Sequence, residues 1–297
     1  MPNESGLCIF EQHVASVGMD VPAYIKQLIS SKLKEADWLN EQVNASFSPS
    51  SFYLSFNLIH RKVEEQPLTY TDEELASWNK IYPGFNPAFW TAQTLARTYL
   101  VLHVPETDLE KVLDDLFTTG DIGEQEALYR MLFLLPEAQR FQMRAAEGIR
   151  TNMTRVFDAI ALDNPYPSNF FNGGQWNQMV LKSIFMERPL FRIQGLELRN
   201  NEDLCRIAQD FAHERWAAGR KVTPELWRLT GIFISGNQGL LDDLSKVLSS
   251  DDELEQEAGK LALAECDSDE CRSLLEKAGD LTIASWDELG KRIALEK

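Results

Sequence analysis

The chain has 297 residues, of which 44% are hydrophobic and 25% are charged, a composition typical of a globular protein with a sizeable core. Its formal net charge of −17 argues against nucleic-acid binding, which requires a basic surface. The longest uncharged stretch, residues 42–60, is rich in Ser, Asn and Gln, so no membrane-spanning helix is expected. The first 30 residues contain no basic segment followed by an apolar one, and cytoplasmic residence is therefore expected.

Helical periodicity dominates from the N-terminal region onward. The predicted helices are 22–44, 51–65, 87–103, 107–117, 124–135, 136–162, 175–186, 201–218, 224–233, 240–248, 252–264 and 269–278. Thr71 and Glu74 have the spacing of a capping box, in which two side chains satisfy free backbone N–H groups. Residues suited to first turns or to helix ends stand at the expected places: Pro22, Pro87, Pro224, Gly120, Gly219 and Gly279.

Strand signals are almost absent, so the predicted fold class is all-α, built from antiparallel helical hairpins. Three short amphipathic helices within residues 240–279 favour HEAT-like, α-solenoid-type stacking through the C-terminal part. We expect an N-terminal helical region at 1–118, a helical core at 119–235 and acidic HEAT-like helices at 236–297, within one continuous α domain.

Residues 163–178 interrupt the helical rhythm with prolines, adjacent glycines and several aromatics. Phe170, Phe171 and Trp176 supply apolar mass that a surface loop does not need, so this segment is expected to pack down. It either fills space in the core or walls a cavity.

Neither the cysteines nor the histidines form a metal motif. Cys8, Cys205, Cys266 and Cys271 include no CxxC pair and are interpreted as free, buried or half-buried thiols. The His213-Glu214 pair resembles the start of a zinc-protease helix, but Ala217 stands where the second histidine would be needed. No phosphate-binding loop or nucleophile elbow is present, and neither a metal nor a cofactor is predicted.

Two arginines are placed by helical periodicity against the core. On helix 201–218, Arg215 falls within an apolar stripe and His213 falls on the opposite face; on helix 136–162, Arg150 lies beside Met143 and Met153. A guanidinium facing a core needs a carboxylate, backbone carbonyls or an anionic ligand. An internal salt bridge and an anion site both remain open. Candidate carboxylates for such bridges are Glu147, Asp158, Glu197 and Glu225.

Helix 175–186 is apolar almost all round and is therefore predicted to be central to the core. Its polar members Asn177, Gln178 and Lys182 are candidates for buried hydrogen bonds or for lining a cavity.

Four blocks of the sequence resemble the EboA family, in that family's order. They are LYRMLFLLPEAQRFQMRAAEGIRTNMTRVFDAIALDNPYP (128–167), WNQMVLKSIF (176–185), AHERWAAGR (212–220) and PELWRLTGIF (224–233). The resemblance implies membership of a bacterial gene cluster that makes a small metabolite or exports it toward the periplasm. The cluster's other products resemble a prenyltransferase, a metal hydrolase, a sugar-isomerase-like barrel, a dehydroquinate-synthase-like enzyme and a phosphatase-like protein. No reaction is assigned to EboA, so no catalytic residue carries over.

The leading hypothesis is a cytoplasmic helical scaffold or binding protein, not an enzyme, whose partner is a product of the same cluster or a small anionic metabolite. The alternative is an enzyme acting on a phosphorylated or prenylated molecule, with several arginines converging on one cavity. Asp210 or Glu214 would then act as acid or base. The residues predicted to bind are Arg150, Trp176, Asn177, Lys182, Arg199, Asp210, His213, Glu214, Arg215, Arg220, Trp227 and Arg228.

Overall fold

The computed structural model describes residues 20–296, and within that range it contains helices and no β-strand. Its α-helices, α1 to α17, are Val21–Lys32, Ala36–Asn44, Pro49–Lys62, Asp72–Ile81, Ala92–Val101, Glu106–Thr119, Ile122–Met131, Gln142–Gly148, Thr154–Ala161, Tyr166–Phe170, Gly173–Phe185, Leu196–Arg199, Glu202–Ala217, Gln238–Leu248, Glu253–Ala264, Asp269–Ala278 and Trp286–Leu295. Short 3₁₀ helices span Pro87–Phe89, Leu132–Leu134, Ala138–Phe141, Leu190–Arg192, Pro224–Leu229 and Gly231–Phe233. The all-α prediction is confirmed, while HEAT-like stacking stays a prediction. Cys8 and the first 19 residues of the segment searched for a leader lie outside the described residues.

The chain forms two compact units, the first ending at Phe171 and the second beginning at Asn172. The division falls inside the segment 119–235 that the sequence predicts as one region, and the three predicted regions stay predictions.

Helix α5 is the centre of the first unit. Every residue from Ala92 to Val101 is buried, and the helix contacts α1, α2, α3 and α7. Because no side of α5 faces solvent, its polar residues must find their partners inside the unit. Thr98 does so by donating its hydroxyl to the carbonyl of Thr94 at 2.8 Å.

Helix α15 is the centre of the second unit, where it contacts α14, α16 and α17. Its buried segment carries an ion pair in which Lys260 Nζ donates to Glu257 Oε1 at 2.8 Å and to the carbonyl of Asp280 at 2.9 Å. The other carboxylate oxygen of Glu257 accepts the backbone N–H groups of Thr282 and Ile283 at 2.8 and 3.0 Å. This pair therefore anchors the chain that leads into α17.

Several predicted start and stop signals are confirmed. Thr71 and Glu74 form the capping box of α4, and Gly279 ends α16 with a φ of 84°, a conformation that glycine adopts without strain. Helix α17, which the sequence pattern missed, begins at Trp286, and Ser285 is its N-cap.

The predicted helix 136–162 is wrong as a single element. The chain leaves α8 after Gly148 and resumes helical structure only at Thr154. Arg150 therefore stands in a turn, with its N–H donating to the carbonyl of Glu147 at 3.0 Å. The 100° stepping that placed Arg150 toward the core does not apply across this break, and Arg150 is exposed.

The interpretation of Cys266 and Cys271 as free thiols is also wrong. They form a disulfide across the turn between α15 and α16, with their Cα atoms 6.1 Å apart. The turn is short enough to bring two residues five positions apart within bridging range. Cys205 is free and buried, as predicted.

The Gly148→Ala variant tests the close approach of α8 to α7. A Cβ at Gly148 would lie 2.7 Å from Cε1 of Tyr129, a buried ring that packs on Phe117 at 4.7 Å between centroids. We expect the free energy of unfolding to fall by about 1–3 kcal/mol, because overpacking a dense core forces its neighbours to shift. Urea denaturation measures the change. At Gly123 the nearest atom is an ordinary 3.5 Å away, so Gly123→Ala is the matched control and should cost less than about 0.5 kcal/mol.

The Glu257→Gln variant tests the buried ion pair through its pH dependence. Burial opposes ionisation of Glu257, but the hydrogen bonds from Lys260, Thr282 and Ile283 outweigh it and hold the pKa of Glu257 below its ordinary value. The stabilisation is therefore complete above the unfolded pKa of about 4.3 and is lost as the pH falls through the lower folded pKa. We expect the variant to lose about 3 kcal/mol at pH 7 and progressively less in acid.

The control is Glu276→Gln, which changes an exposed glutamate of the neighbouring helix α16. Denaturation at pH 7 and at pH 3 measures both variants, and an equal loss for Glu257→Gln at the two values would contradict the role given to the ionised carboxylate.

Candidate functional site

Asn177 and Trp176, two predicted site residues of α11, pack against the start of α13 and the segment before it. Asn177 and Asn201 exchange amide hydrogen bonds at 2.9 and 3.2 Å, and Asn201 also caps α13 by accepting the N–H of Leu204. The Arg199 guanidinium lies 4.7 Å from the ring centroid of the fully buried Trp176. These contacts hold the helices together.

Lys182, also predicted on α11, is half-buried, and burial lowers the pKa of its ammonium group. The role predicted for it, a buried hydrogen bond or the lining of a cavity, stays a prediction. The prediction that α11 is central to the core fits one side of the helix only, since Trp176 is fully buried and Phe185 is 75% exposed.

His213 lies on the exposed face of α13, as predicted, and belongs there to a cluster of stacked rings. Its Nε2 is 2.7 Å from Asp243 Oδ1, and the other oxygen of Asp243 accepts Gln209 Nε2 at 2.6 Å. The imidazole stacks on Trp216, which in turn stacks on the buried Trp227 at 5.6 Å between centroids. The cluster joins α13 to α14 and to the 3₁₀ helix Pro224–Leu229, which contains Trp227.

The two acids proposed for the enzyme hypothesis are both exposed. Asp210 accepts a long, 3.5 Å hydrogen bond from Arg206, one turn earlier on the same helix, and Glu214 lies on the solvent side.

Arg215 is half-buried rather than fully buried. Its Nε donates to the carbonyl of Lys221 at 2.8 Å, Nη2 lies 4.0 Å from Glu187, and its guanidinium rests beside the ring of Phe211 at 5.9 Å. The pairing is thus mainly to a backbone carbonyl just beyond the helix end, where it closes the C-terminal turn of α13.

The other arginines of the second unit point to different places. Arg228 pairs with Glu197 and with Asp287, the latter at 3.1 Å, and lines a cavity of about 70 Å³. Arg220 is exposed and lines a separate open cleft. The convergence of several arginines on one cavity, which would favour the enzyme hypothesis, is therefore not found among these side chains.

A different arginine, Arg97, is the candidate binding residue of the first unit. It lies at an open cleft of about 880 Å³, here called the Arg97 cleft, which is lined by Glu35, residues 60–65, Gln93, Arg97, residues 121–123 and Arg155. Arg97 is on the central helix α5 and is only 3% exposed. A buried charged side chain at the edge of a large cleft is the arrangement expected of a binding site.

The orientation of Arg97 is fixed by a short relay of hydrogen bonds. Its Nη1 donates to Gln93 Oε1 at 3.2 Å, and Gln93 Nε2 donates to the carbonyl of Val63 at 2.9 Å. Gln93 and Arg97 are four residues apart, so they lie on one face of α5. The ring of Phe56 lies 5.6 Å from the guanidinium carbon. Together these contacts hold the guanidinium in one place.

The hydrogen-bonding capacity of Arg97 is only partly used. Its Nε is buried without a partner, and across residues 20–296 it makes no ion pair within 4.0 Å. Arg130, the other buried arginine of this unit, instead pairs with Glu126 at 3.2 Å. A guanidinium carries five N–H donors and satisfies them best with carboxylate or phosphate oxygens, so Arg97 offers donors to an anion.

Burial is the dominant electrostatic influence on Arg97. It lowers the pKa of the guanidinium, while the carboxylates of Glu124, Asp121 and Glu65 raise it from a distance without offsetting burial. The arginine remains charged at neutral pH, since a guanidinium is not deprotonated in proteins. The fold therefore holds a positive charge at a net electrostatic cost.

Sequence periodicity missed Arg97 because it places residues on helix faces without showing what covers each face. The available signal was the spacing of Gln93 and Arg97, which stand one turn apart on the same helix. Burial of that face depends on α3 and α7, which come from distant parts of the chain.

Within residues 20–296, no group of three or more His, Cys, Asp or Glu side chains is arranged to hold a metal ion. None of the helices described in that range has both the length and the hydropathy needed to cross a membrane.

Comparison with known proteins gives one match. The family model described as "Metabolite traffic protein EboA" matches residues 21–231, a range that includes the whole Arg97 cleft. No curated protein and no solved structure shows significant similarity to the chain.

Substituting the two buried arginines by methionine compares a paired and an unpaired charge. Arg97→Met should leave the free energy of unfolding unchanged or raise it by about 1 kcal/mol, because it replaces a buried charge that has no ion-pair partner by an apolar side chain of similar length. Arg130→Met should lower it by about 1 kcal/mol, because it removes one of the two arginine partners of Glu126 and leaves the other, Arg155, in place. Urea unfolding followed by circular dichroism measures both, and a larger loss for Arg97→Met than for Arg130→Met would show that Arg97 stabilises the fold.

Proposed function

The chain belongs to the EboA family, and on that premise we propose that it is a non-catalytic carrier that binds a small anionic metabolite in the Arg97 cleft. The family description indicates a metabolite-related role, and the cleft supplies a place for one. The bound molecule would be an intermediate or product of a bacterial metabolite cluster, held in the cytoplasm before it is handed on.

The unpaired, buried guanidinium of Arg97 is the observation that carries this proposal. The fold has already removed the charge from water, so an arriving anion meets donors that are desolvated and held in position. A carboxylate or phosphate group in the cleft would give the guanidinium the ion-pair partner that the described residues do not supply. A purely structural arginine would be expected to pair as Arg130 does.

The shape of the cleft supports binding of a small molecule. Its volume of about 880 Å³ lies within the range of small-molecule sites. Its wall is mostly polar and charged, with Val63 and Ile122 as apolar members. Such a surface suits a polar metabolite better than a prenyl chain.

The enzyme alternative receives less support. It requires several arginines around one cavity with an acid or base among them. In the second unit Arg199, Arg215 and Arg228 instead contact Trp176, the carbonyl of Lys221 and two carboxylates, respectively. We therefore propose binding without chemistry. Association with another product of the cluster stays a prediction, for which co-purification from cells carrying the whole cluster is the test.

Anion binding by the Arg97 cleft is tested with acetate and inorganic phosphate as probes, titrated by calorimetry at constant ionic strength. We expect the wild-type protein to bind at least one of them, and Arg97→Met to weaken that binding by roughly tenfold or more, because a hydrogen-bonded charge is lost. Arg150→Met, which removes an exposed arginine of the same unit outside the cleft, is the matched control and should bind normally. Equal affinities of Arg97→Met and wild type for both probes would refute the proposal.

A further inference from the structure

The charges around the Arg97 cleft narrow the class of ligand, provided that the cleft is the binding site proposed above. Four basic side chains line it, Arg61, Lys62, Arg97 and Arg155, and four acidic ones, Glu35, Glu64, Glu65 and Asp121. The cleft is thus formally neutral when His60 is uncharged. A site built for a polyanion would instead be expected to carry an excess of basic groups.

Much of the basic charge in the cleft is already engaged. Arg155 pairs with Glu126 at 2.8 Å and lies 4.0 Å from Glu65, and the ammonium of Lys62 rests 5.1 Å from the ring centroid of Trp38. Arg97 is the basic group that is both buried and without an ion pair. The cleft is therefore equipped to hold one anionic group of a ligand.

Two acidic side chains of the cleft, Glu35 and Glu64, are available to bind a ligand. Across residues 20–296, neither Glu35 nor Glu64 makes a side-chain hydrogen bond or an ion pair. Glu64 follows Val63 directly, and the carbonyl of Val63 is the acceptor that positions Gln93 and, through it, Arg97. Glu64 and Arg97 line the same cleft, which is the basis for assigning both of them to one ligand.

These charges disfavour a ligand that brings negative charge alone. An anion bound to Arg97 would also face the carboxylates of Glu65 and Asp121, which line the same cleft. A cationic group on the ligand would turn part of that repulsion into attraction. It would at the same time provide a partner for Glu64.

We propose that the ligand is a small amino carboxylate, whose carboxylate binds Arg97 and whose ammonium group faces Glu64. The carboxylate would receive the N–H donors that the fold leaves unused, and the ammonium would receive an acceptor at the rim. The two anchors are of opposite charge and are contributed by different segments of the chain. They would therefore select for ligand length as well as for charge.

The test compares matched pairs of probes that differ only in the ammonium group, titrated by calorimetry into the full chain. β-Alanine, 4-aminobutyrate and 6-aminohexanoate vary the spacing, and propionate, butyrate and hexanoate are their controls. At the best spacing we expect the amino carboxylate to bind about three- to fivefold more tightly than its control, the gain typical of one exposed ion pair. Glu64→Gln should abolish that difference while leaving affinity for the simple carboxylate unchanged or slightly higher.

Glu110→Gln, an exposed substitution on α6 outside the cleft, is the control variant and should preserve the difference. If amino carboxylates bind no more tightly than their controls at every spacing, or if Glu64→Gln leaves the preference intact, the ligand class is wrong while the anion site stands. If no probe binds in a manner that Arg97→Met weakens, the anion site itself is wrong.

Discussion

Burial of α5 along its whole length is the constraint on which the first unit depends. A helix with no solvent-facing side must satisfy each polar group internally, since an unpaired group in a dry core costs free energy. Gln93 and Thr98 meet this demand through the carbonyls of Val63 and Thr94. Arg97 meets it only in part, because its Nε has no hydrogen-bond partner, and the residue lines the Arg97 cleft. The position of the candidate site follows from that unmet demand.

Local physics explains which parts of the fold the sequence predicts. Helix existence and type follow from apolar periodicity, and a capping box such as Thr71 with Glu74 fixes a start because both partners lie within one turn. The failures have distant causes. Helix 136–162 is interrupted after Gly148, which packs against the ring of Tyr129, a residue 19 positions earlier in the chain that no local pattern relates to it. The 3₁₀ geometry of Pro224–Leu229, within a predicted α-helix, likewise lies beyond what periodicity distinguishes.

The same distinction separates the predicted site residues from the observed site. Periodicity placed His213 on the exposed face of α13, and it lies there, but its partner Asp243 comes from α14. It placed Arg215 toward the core, and the guanidinium turned to a carbonyl in the next turn. A single sequence shows which face a side chain takes and leaves its partner undetermined. Arg97 is the opposite case, because what matters is the partner that it lacks.

The carrier proposed above must release what it binds, and the electrostatics of the Arg97 cleft suit that requirement. A guanidinium in an ion pair, such as that of Arg130, has few donors left for a ligand. An isolated guanidinium in a low-dielectric site would instead hold an anion tightly. Arg97 lies between these limits, because Glu124, Asp121 and Glu65 raise the pKa of its guanidinium from a distance and none of them forms an ion pair with it. Moving one of these carboxylates closer would stabilise the empty protein and close the site; removing it would strengthen binding and raise the cost of the empty state. Stability and affinity are therefore coupled at this residue, and a reversible carrier requires a balance between them.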